Sequence, residues 1–379
     1  MNQKNIIKNN YFNNDKMKNL FGGYYKDKVV FLTGHTGFQG TWLSLWLSLL
    51  GAKVIGYSLK PPTSPSLFNI LNMKKIVINK IGNINNRKKL SNEIFKSKPD
   101  VVMHLAAQPL VVPSYQDPIE TFSTNIIGTA NLLESIRDIP SIKSCLIMTS
   151  DKVYENKELN SPYIENDPMG GTDPYSASKG ATELVVSSYM KSFFNEKNSP
   201  GIATIRSGNV IGGGDWADYR LIPDSIRSLI SNKNIILRNP NSIRPWQHVL
   251  ESLSGFLLVG SKINKNSNKF GGPWNVGPSP KNSLSVESVV KKIIQQWGNG
   301  KIIIKKNNFH EAKLLKLNSN KIFNLMKWKP TYSFNQSIEK TVDWYLKYYE
   351  NKNIIQNFTV NQIEDYVKQA QKSKNGWVK

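Results

Sequence analysis

Short, continuous apolar runs recur along the first half of the chain, each followed by a stretch whose apolar residues return every three or four places. Val29-Val30-Phe31-Leu32-Thr33, Lys53 to Leu59, Ile76-Val77-Ile78, Val101 to Leu105 and Ser144 to Thr149 read as strands buried on both faces. Thr41 to Leu50, Arg87 to Phe95 and Ile119 to Arg137 carry the helical period between them. Such alternation predicts an α/β fold, a Rossmann-type doubly wound parallel sheet. A further helix is expected from Pro174 to about Phe194, with Asp173 or Thr172 as cap and proline in its first turn. Beyond it, Val286 to Trp297 and Ser337 to Tyr348 are amphipathic. The pattern divides the chain into a mobile tail (1–23), a dinucleotide-binding domain (24–205), a smaller C-terminal region for a second ligand (206–350), and a basic tail (351–379) that is helical around 361–372. Some elements of the smaller region are expected to return to the main sheet.

The chemistry-bearing residues fall where this pattern changes period. Gly34-His35-Thr36-Gly37-Phe38-Gln39-Gly40 joins the first strand to its helix, with GxxGxxG spacing. Glycines allow a tight turn, and a helix N-terminus offers unpaired N–H groups to a pyrophosphate. The second strand ends Tyr57-Ser58-Leu59-Lys60, without the acidic residue that often holds ribose hydroxyls, so NAD and NADP both stay open. His104-Leu105-Ala106-Ala107-Gln108 closes the fourth strand with small residues, suited either to a cofactor or to plain helix packing. Thr149-Ser150-Asp151-Lys152-Val153-Tyr154 ends the fifth at the carboxyl edge, where open α/β sheets bind ligands. Tyr175 and Lys179 stand one helical turn apart. A free phenol titrates near 10; serving as a base at neutral pH needs a shift of roughly three units. One cation at about 4 Å, at an effective dielectric of about 20, supplies roughly that much. Alone, the pair would be an ordinary surface contact; its surroundings give it weight.

Composition narrows the classes. With 39% hydrophobic and 10% aromatic residues the chain can bury a large core. A single cysteine, Cys145, excludes an internal disulfide framework and favours a reducing, cytoplasmic setting. The longest apolar runs are too short and too broken to span a membrane. His35, His104, His248 and His310 are scattered, and no spacing points to a metal. The net charge of +23 comes from dispersed pairs such as Lys74-Lys75, Lys88-Lys89, Lys291-Lys292 and Lys305-Lys306, amid many Asn and Ile. That reads as a solvated surface rather than a nucleic-acid stripe.

Taken together, GxxGxxG, the serine ending strand five and YxxxK resemble the extended short-chain dehydrogenase/reductases, the NAD-dependent epimerase/dehydratase family. The likeness runs from about Asp27 to Tyr348. The segments GHTGFQGTWLSLWL, PPTSPSLF, HLAAQPLV, TSDKVYEN, DPYSASKG, RSGNVIGGGDWADYRLIPD and RPWQHVLE resemble more narrowly the branch that dehydrates CDP-glucose. The resemblance implies NAD as cofactor, held by Gly34, Thr36, Gly37, Phe38, Gln39, Gly40, Ser58, Asn83, Ile84, Leu105, Ala106 and Ala107, with Tyr175 and Lys179 at its reactive end. It implies Tyr175 as base at the C4 hydroxyl, Ser150 hydrogen-bonded to that hydroxyl, and Asp151 as acid for the C6 oxygen. Lys152, where related enzymes carry Glu, is expected to take the C5 proton or to stabilise the enolate as a cation. Gln108, Ser150, Asn209, Arg220, Leu221, Ile222, Arg244 and His248 would face the nucleotide sugar. A homodimer built on the helices near 119–138 and 174–194 is implied, as is a place in deoxysugar assembly for surface polysaccharide, such as the O-antigen of lipopolysaccharide.

Departures from the family pattern at Gln39 (often Lys), Asn83 (often Asp) and Val112 (often basic) bear on cofactor grip and imply weak NAD binding. Two alternatives share the motifs. A dehydratase or epimerase of a dTDP-, GDP- or UDP-linked sugar would use Tyr175 and Lys179, though an epimerase would not need Asp151 and Lys152. A catalytically silent NAD(P)-sensing or nucleic-acid-binding protein on this fold would not need Ser150, Tyr175 and Lys179 intact.

Overall fold

A computed structural model describes residues 15–196, 198–279, 283–305 and 314–378. Residues 1–14 of the expected tail, and His310, lie outside the described residues. Seven strands form one sheet: β1 (Val29–Thr33), β2 (Lys53–Ser58), β3 (Ile78–Ile81), β4 (Val101–His104), β5 (Ser144–Met148), β6 (Gly201–Ser207) and β7 (Gly272–Val276). The order is β3-β2-β1-β4-β5-β6-β7, and every neighbouring pair is parallel. Strand order reverses between β1 and β4, so the crevice for a ligand opens beyond Thr33 and His104, which face each other in register. Strand β3 begins two residues later than the apolar run predicts. The Ile76 N–H closes a 3-10 turn onto the Met73 carbonyl (2.9 Å), and pairing with β2 starts at Ile78.

Helix α1 (Phe38–Leu49) is apolar nearly all round, because it lies between the sheet and an outer layer of helices; Trp42, Leu43, Leu45, Trp46 and Leu47 have no exposed surface. The opposite face of the sheet carries α2 (Arg87–Ser97), α3 (118–136) and α4 (Pro174–Phe193). Helix α3 is one run of three pieces, Pro118–Phe122, a π-turn at Ser123–Ile127, and Gly128–Ile136. The second half adds α5 (Leu221–Ile230), α6 (Val249–Ile263), α7 (Val286–Trp297), α8 (Phe334–Glu350) and α9 (Ile355–Lys372). It also has two-stranded pairings, among them Val210–Ile211 with Gln247–His248 and Ile243–Pro245 with Ser283–Ser285.

Both expected tails are corrected over their described residues, 15–23 and 351–378. Met17, Leu20 and Phe21 are buried, and so are Val360, Ile363, Tyr366, Val367 and Trp377. Phe21 stacks on Trp377 at 5.1 Å between ring centroids, and its N–H donates to the Trp377 carbonyl (2.8 Å). Trp46 of α1 meets Phe21, Tyr366 and Trp377 edge-on, so the segments that carry them close over α1. Each buried aromatic side chain of this kind stabilises by about 2–3 kcal/mol, far more than surface lysines oppose. Glu251 of α6 fastens the same layer: its buried carboxylate accepts the Thr331 and Tyr332 N–H groups and the Tyr366 hydroxyl. Burial pushes that carboxyl up to about 7. Among the described residues no helix is long and apolar enough to cross a membrane.

Candidate active site

The glycine turn rests on the end of β4. Gly34 has φ +76°, and a Cβ there would sit 2.6 Å from the Ala106 nitrogen, so the turn exists only with glycine. The Gly34 carbonyl closes equally tightly on Gly40. Thr36 ties the turn to the end of β2, through the Ser58 hydroxyl (2.9 Å) and the Leu59 carbonyl (3.0 Å). Gly37 is the N-cap of α1; no side chain caps that end, and a Cβ on Gly37 would meet only the Gly34 oxygen, at 3.5 Å. Gln39 Oε1 is buried there without a partner. Phe38, Leu105, Ala106 and Ala107 are half-buried around it. Asn83 is exposed on the loop after β3, its carbonyl accepting the Tyr57 hydroxyl, while Ile84 is buried against Gly128. Open space at a glycine N-cap, uncapped helix donors and an unsatisfied acceptor fit a dinucleotide.

Helix α4 starts as the sequence predicts, with Asp173 accepting the Ser176 N–H (2.9 Å) and Pro174 next. Its first turn presents Tyr175 to the turn after β5. Ser150 there accepts the Lys152 N–H (3.2 Å), donates to Asp151 Oδ1 (3.1 Å) and shares a hydrogen bond with the Tyr175 phenol. Lys152 Nζ lies 5.7 Å from the Tyr175 ring centroid. Burial pushes the Tyr175 phenol up to about 12; the Ser150 hydrogen bond and the Arg220 cation pull it down, and the Asp151 charge raises it further. A lysine-depressed phenol, expected from the sequence, is therefore corrected: desolvation outweighs the hydrogen bond and the cation that pull the phenol down. Burial lowers Lys179 to about 8 against the pull of Glu183. His104, held between the Thr33 and Thr129 hydroxyls, is pushed down to about 3 by burial and stays neutral. Burial also raises the Asp151 carboxyl, with Lys152, Ser150 and Arg244 opposing, and its Oδ2 has no partner.

On the substrate side, Arg220 sits at the N-cap of α5, its guanidinium on Asp215 (2.8 Å) and close enough to the Tyr175 phenol to act on it. Arg244 is nearly buried and acts on Asp151. Asn209 is half-buried, its carbonyl accepting the Gln247 N–H (3.0 Å), and Leu221 is half-buried at the start of α5. Three expected contacts are corrected. His248 is wholly buried; its Nδ1 caps α6 by accepting the Leu250 N–H, and its ring lies between Trp42 and Tyr332. Ile222 is a core residue. The Gln108 amide is spent on its own loop, bonding the Leu110 N–H and carbonyl and the Thr121 hydroxyl.

Two features escaped the sequence reading. Asn125, in the π-turn, accepts the Gln108 N–H (2.8 Å) and donates to Ser178 Oγ (2.8 Å), joining the β4 turn to the helix that carries Lys179. Glu183 and Arg206 form a buried ion pair (3.0 Å) behind Lys179; nothing in the spacing reveals a partner on another strand.

A model of the GDP-mannose 4,6 dehydratase family matches residues 31–341. The chain is 45% identical to the CDP-glucose 4,6-dehydratase of Salmonella typhimurium, over 91% of this chain and 97% of that one. It is 28% identical to the dTDP-glucose 4,6-dehydratase of Haemophilus influenzae, over 68% and 79%. The solved structure of dTDP-glucose 4,6-dehydratase from Bacillus anthracis, in complex with NAD, superposes with TM-score 0.71 at 24% identity, covering 85% of this chain and 98% of that one. An epimerase from Methanothermobacter thermautotrophicus gives 0.75 at 20% identity, covering 89% and 96%, so the fold extends beyond dehydratases.

Proposed function

The chain belongs to the GDP-mannose 4,6-dehydratase family, and from that premise we propose that it is a hydro-lyase converting CDP-glucose to CDP-4-dehydro-6-deoxyglucose and water. One observation carries the reading. A serine hydroxyl, a carboxyl with one oxygen unpartnered and a lysine from a single turn gather around a buried phenol, beside a glycine turn fit for a dinucleotide. An oxidation–reduction at C4 alone would need only the serine, the phenol and Lys179. The added acid and amine suit a second step, removal of the C5 proton and of the C6 hydroxyl.

Gly34, Thr36, Gly37, Phe38, Gln39, Gly40, Ser58 and the Leu105–Ala107 turn would hold NAD. Bound there, NAD would supply a reversible hydride store for oxidation at C4 and reduction at C6, so that the net change is loss of water. Tyr175 takes the proton of the C4 hydroxyl while Ser150 holds that oxygen in place, and Lys179 stabilises the phenolate. Once C4 is a ketone the C5 proton is acidic; Lys152, entering that step as the free amine, receives it and gives it back to C5 as C6 is reduced. Asp151, whose carboxyl burial keeps protonated above its usual range, gives its proton to the departing C6 oxygen. Arg244 and Arg220 supply positive charge on the substrate side, and an arginine fork suits a diphosphate. The division of labour follows the chain, with 24–205 for the dinucleotide and 206–350 for the nucleotide sugar. The product would enter deoxysugar assembly for surface polysaccharide.

CDP-glucose deuterated at C4 is expected to give a keto-deoxy product carrying the label at C6, read by mass spectrometry and NMR. Unchanged sugar, or label lost from the sugar, removes the reading; parallel trials with dTDP-, GDP- and UDP-glucose test the base.

Homodimer formation rests on the large apolar side chains that α3 and α4 leave in water: Ile119 (74% exposed), Leu184 (59%) and Ile127 (55%). Light scattering is expected to give twice the chain mass of 42.9 kDa; a monomer at micromolar concentration would rule the dimer out.

A further inference from the structure

Behind the reacting groups lies a closed polar network that the proposed chemistry does not use. Both oxygens of Glu183 are engaged: Oε1 accepts Thr149 Oγ1 (2.6 Å) and Arg206 Nε (3.1 Å), and Oε2 accepts Thr204 Oγ1 (2.8 Å) and Arg206 Nη2 (3.0 Å). The remaining Arg206 nitrogen, Nη1, donates to the Tyr154 hydroxyl (3.0 Å) and the Glu165 carbonyl (2.9 Å). Tyr154 passes the chain on to Asn275 Oδ1 (2.6 Å) on β7, whose N–H donates to the Glu165 carboxylate (2.9 Å). Glu183 and Arg206 are only 4% and 2% exposed, so a full ion pair has been taken out of water. Such a pair seldom adds net stability over an apolar replacement; its use here lies in what it grips.

Thr149 and Tyr154 are the two ends of the turn that carries Ser150, Asp151 and Lys152, and one fork-shaped pair holds both. Glu183 also stands one turn beyond Lys179 on α4, as Tyr175 stands one turn before it. We propose that Glu183, clamped by Arg206, is the positioning residue of this active site: it fixes both ends of the reacting turn and sets a carboxylate beside the Lys179 ammonium. The inference rests on the dehydratase reading for its kinetic arm alone. The titratable groups around Lys179 are Tyr175 and Glu183 of its own helix and His104 from β4, which burial keeps neutral. The charge of Glu183 is thus what opposes the loss of the lysine proton.

Glu183→Gln preserves shape while removing the charge. It is expected to lower the titration midpoint of Lys179 by about one unit, read on the substrate-free protein from its 13Cε resonance, assigned with Lys179→Met. The alkaline limb of kcat is expected to move down with it, lowering kcat about fivefold at pH 8. Arg206→Lys keeps a charge but loses the fork and the hold on Tyr154. Its kcat is expected to fall about tenfold with KM within threefold and the limb unmoved, a split that general loosening would not give. Should Glu183→Gln not fold, Glu183→Gln/Arg206→Met removes both charges and is read the same way. Folded variants with wild-type kcat and an unmoved Lys179 midpoint would overturn the proposal. Wild-type protein inactive on CDP-glucose would sink the dehydratase reading, leaving the NMR titration to judge this one.

Discussion

Tyr175→Phe is expected to lower kcat/KM for CDP-glucose by about a thousandfold to ten-thousandfold, the range of a lost general base. The ring remains to fill the pocket, so circular dichroism and substrate binding should stay close to wild type. A variant within tenfold of wild type would remove Tyr175 as the base. The size of the effect follows from how unfavourable the pocket makes the reactive form. With the phenol at about 12, ionisation at pH 7 costs about 7 kcal/mol, and the site must supply most of it once loaded. The Ser150 hydrogen bond and the Arg220 cation act in that direction, and protonation of Asp151, whose negative charge holds the phenol up, would add to them. Base and acid are therefore coupled, one losing its proton more readily because the other keeps it. The rate should rise with pH as the phenol ionises. It should fall above about 8, where Lys179 loses the charge that stabilises the phenolate.

How much of this was legible in the sequence depended on whether a residue's partner was near in the chain. Val29 to Gly40 declared strand, turn and helix through a change of period and fixed glycine spacing, and Pro174 with Asp173 declared the start of α4 through local capping chemistry. Tyr175 and Lys179 were visible for the same reason, as were Ser150 and Asp151 at a strand end. Long-range burial was not visible. The chain end looked like a basic tail because its lysines are frequent, yet Tyr366 and Trp377 reach Trp46 through a distance in sequence that no period encodes. His248 looked like a ligand contact beside Arg244, whereas a histidine that accepts from a backbone N–H two residues on is a cap. The sign of the Tyr175 shift was misjudged because the sequence supplies the cation's spacing but not the depth of burial, and burial was the larger effect.

Asp151→Asn is expected to stop the reaction part-way, with keto-deoxy product formed about a hundredfold to a thousandfold more slowly. The C6 hydroxyl is a poor leaving group and needs a proton as its bond to carbon breaks. Asp151 is placed to give one: its carboxyl is raised by burial, and Oδ2 is left without a protein partner, while Oδ1 is engaged by Ser150. Asparagine keeps the shape and can still accept from Ser150, but it has no proton to lose. Oxidation at C4, which depends on Tyr175, Ser150 and Lys179, should survive. Acid-quenched mixtures are then expected to contain CDP-4-ketoglucose, trapped by borodeuteride and identified by mass spectrometry. In D2O that ketone should gain deuterium at C5, because Lys152 is still present to exchange the proton. The pH dependence has a definite sign: a carboxyl acid must be protonated, so in the wild type the water-loss step slows as pH rises through the raised Asp151 value, and in the variant that dependence disappears. Normal deoxysugar formed within tenfold of the wild-type rate would show that the C6 proton comes from elsewhere. Recovery of nothing but untouched CDP-glucose would place Asp151 in the first step instead, as the partner that keeps Ser150 aimed at the C4 oxygen.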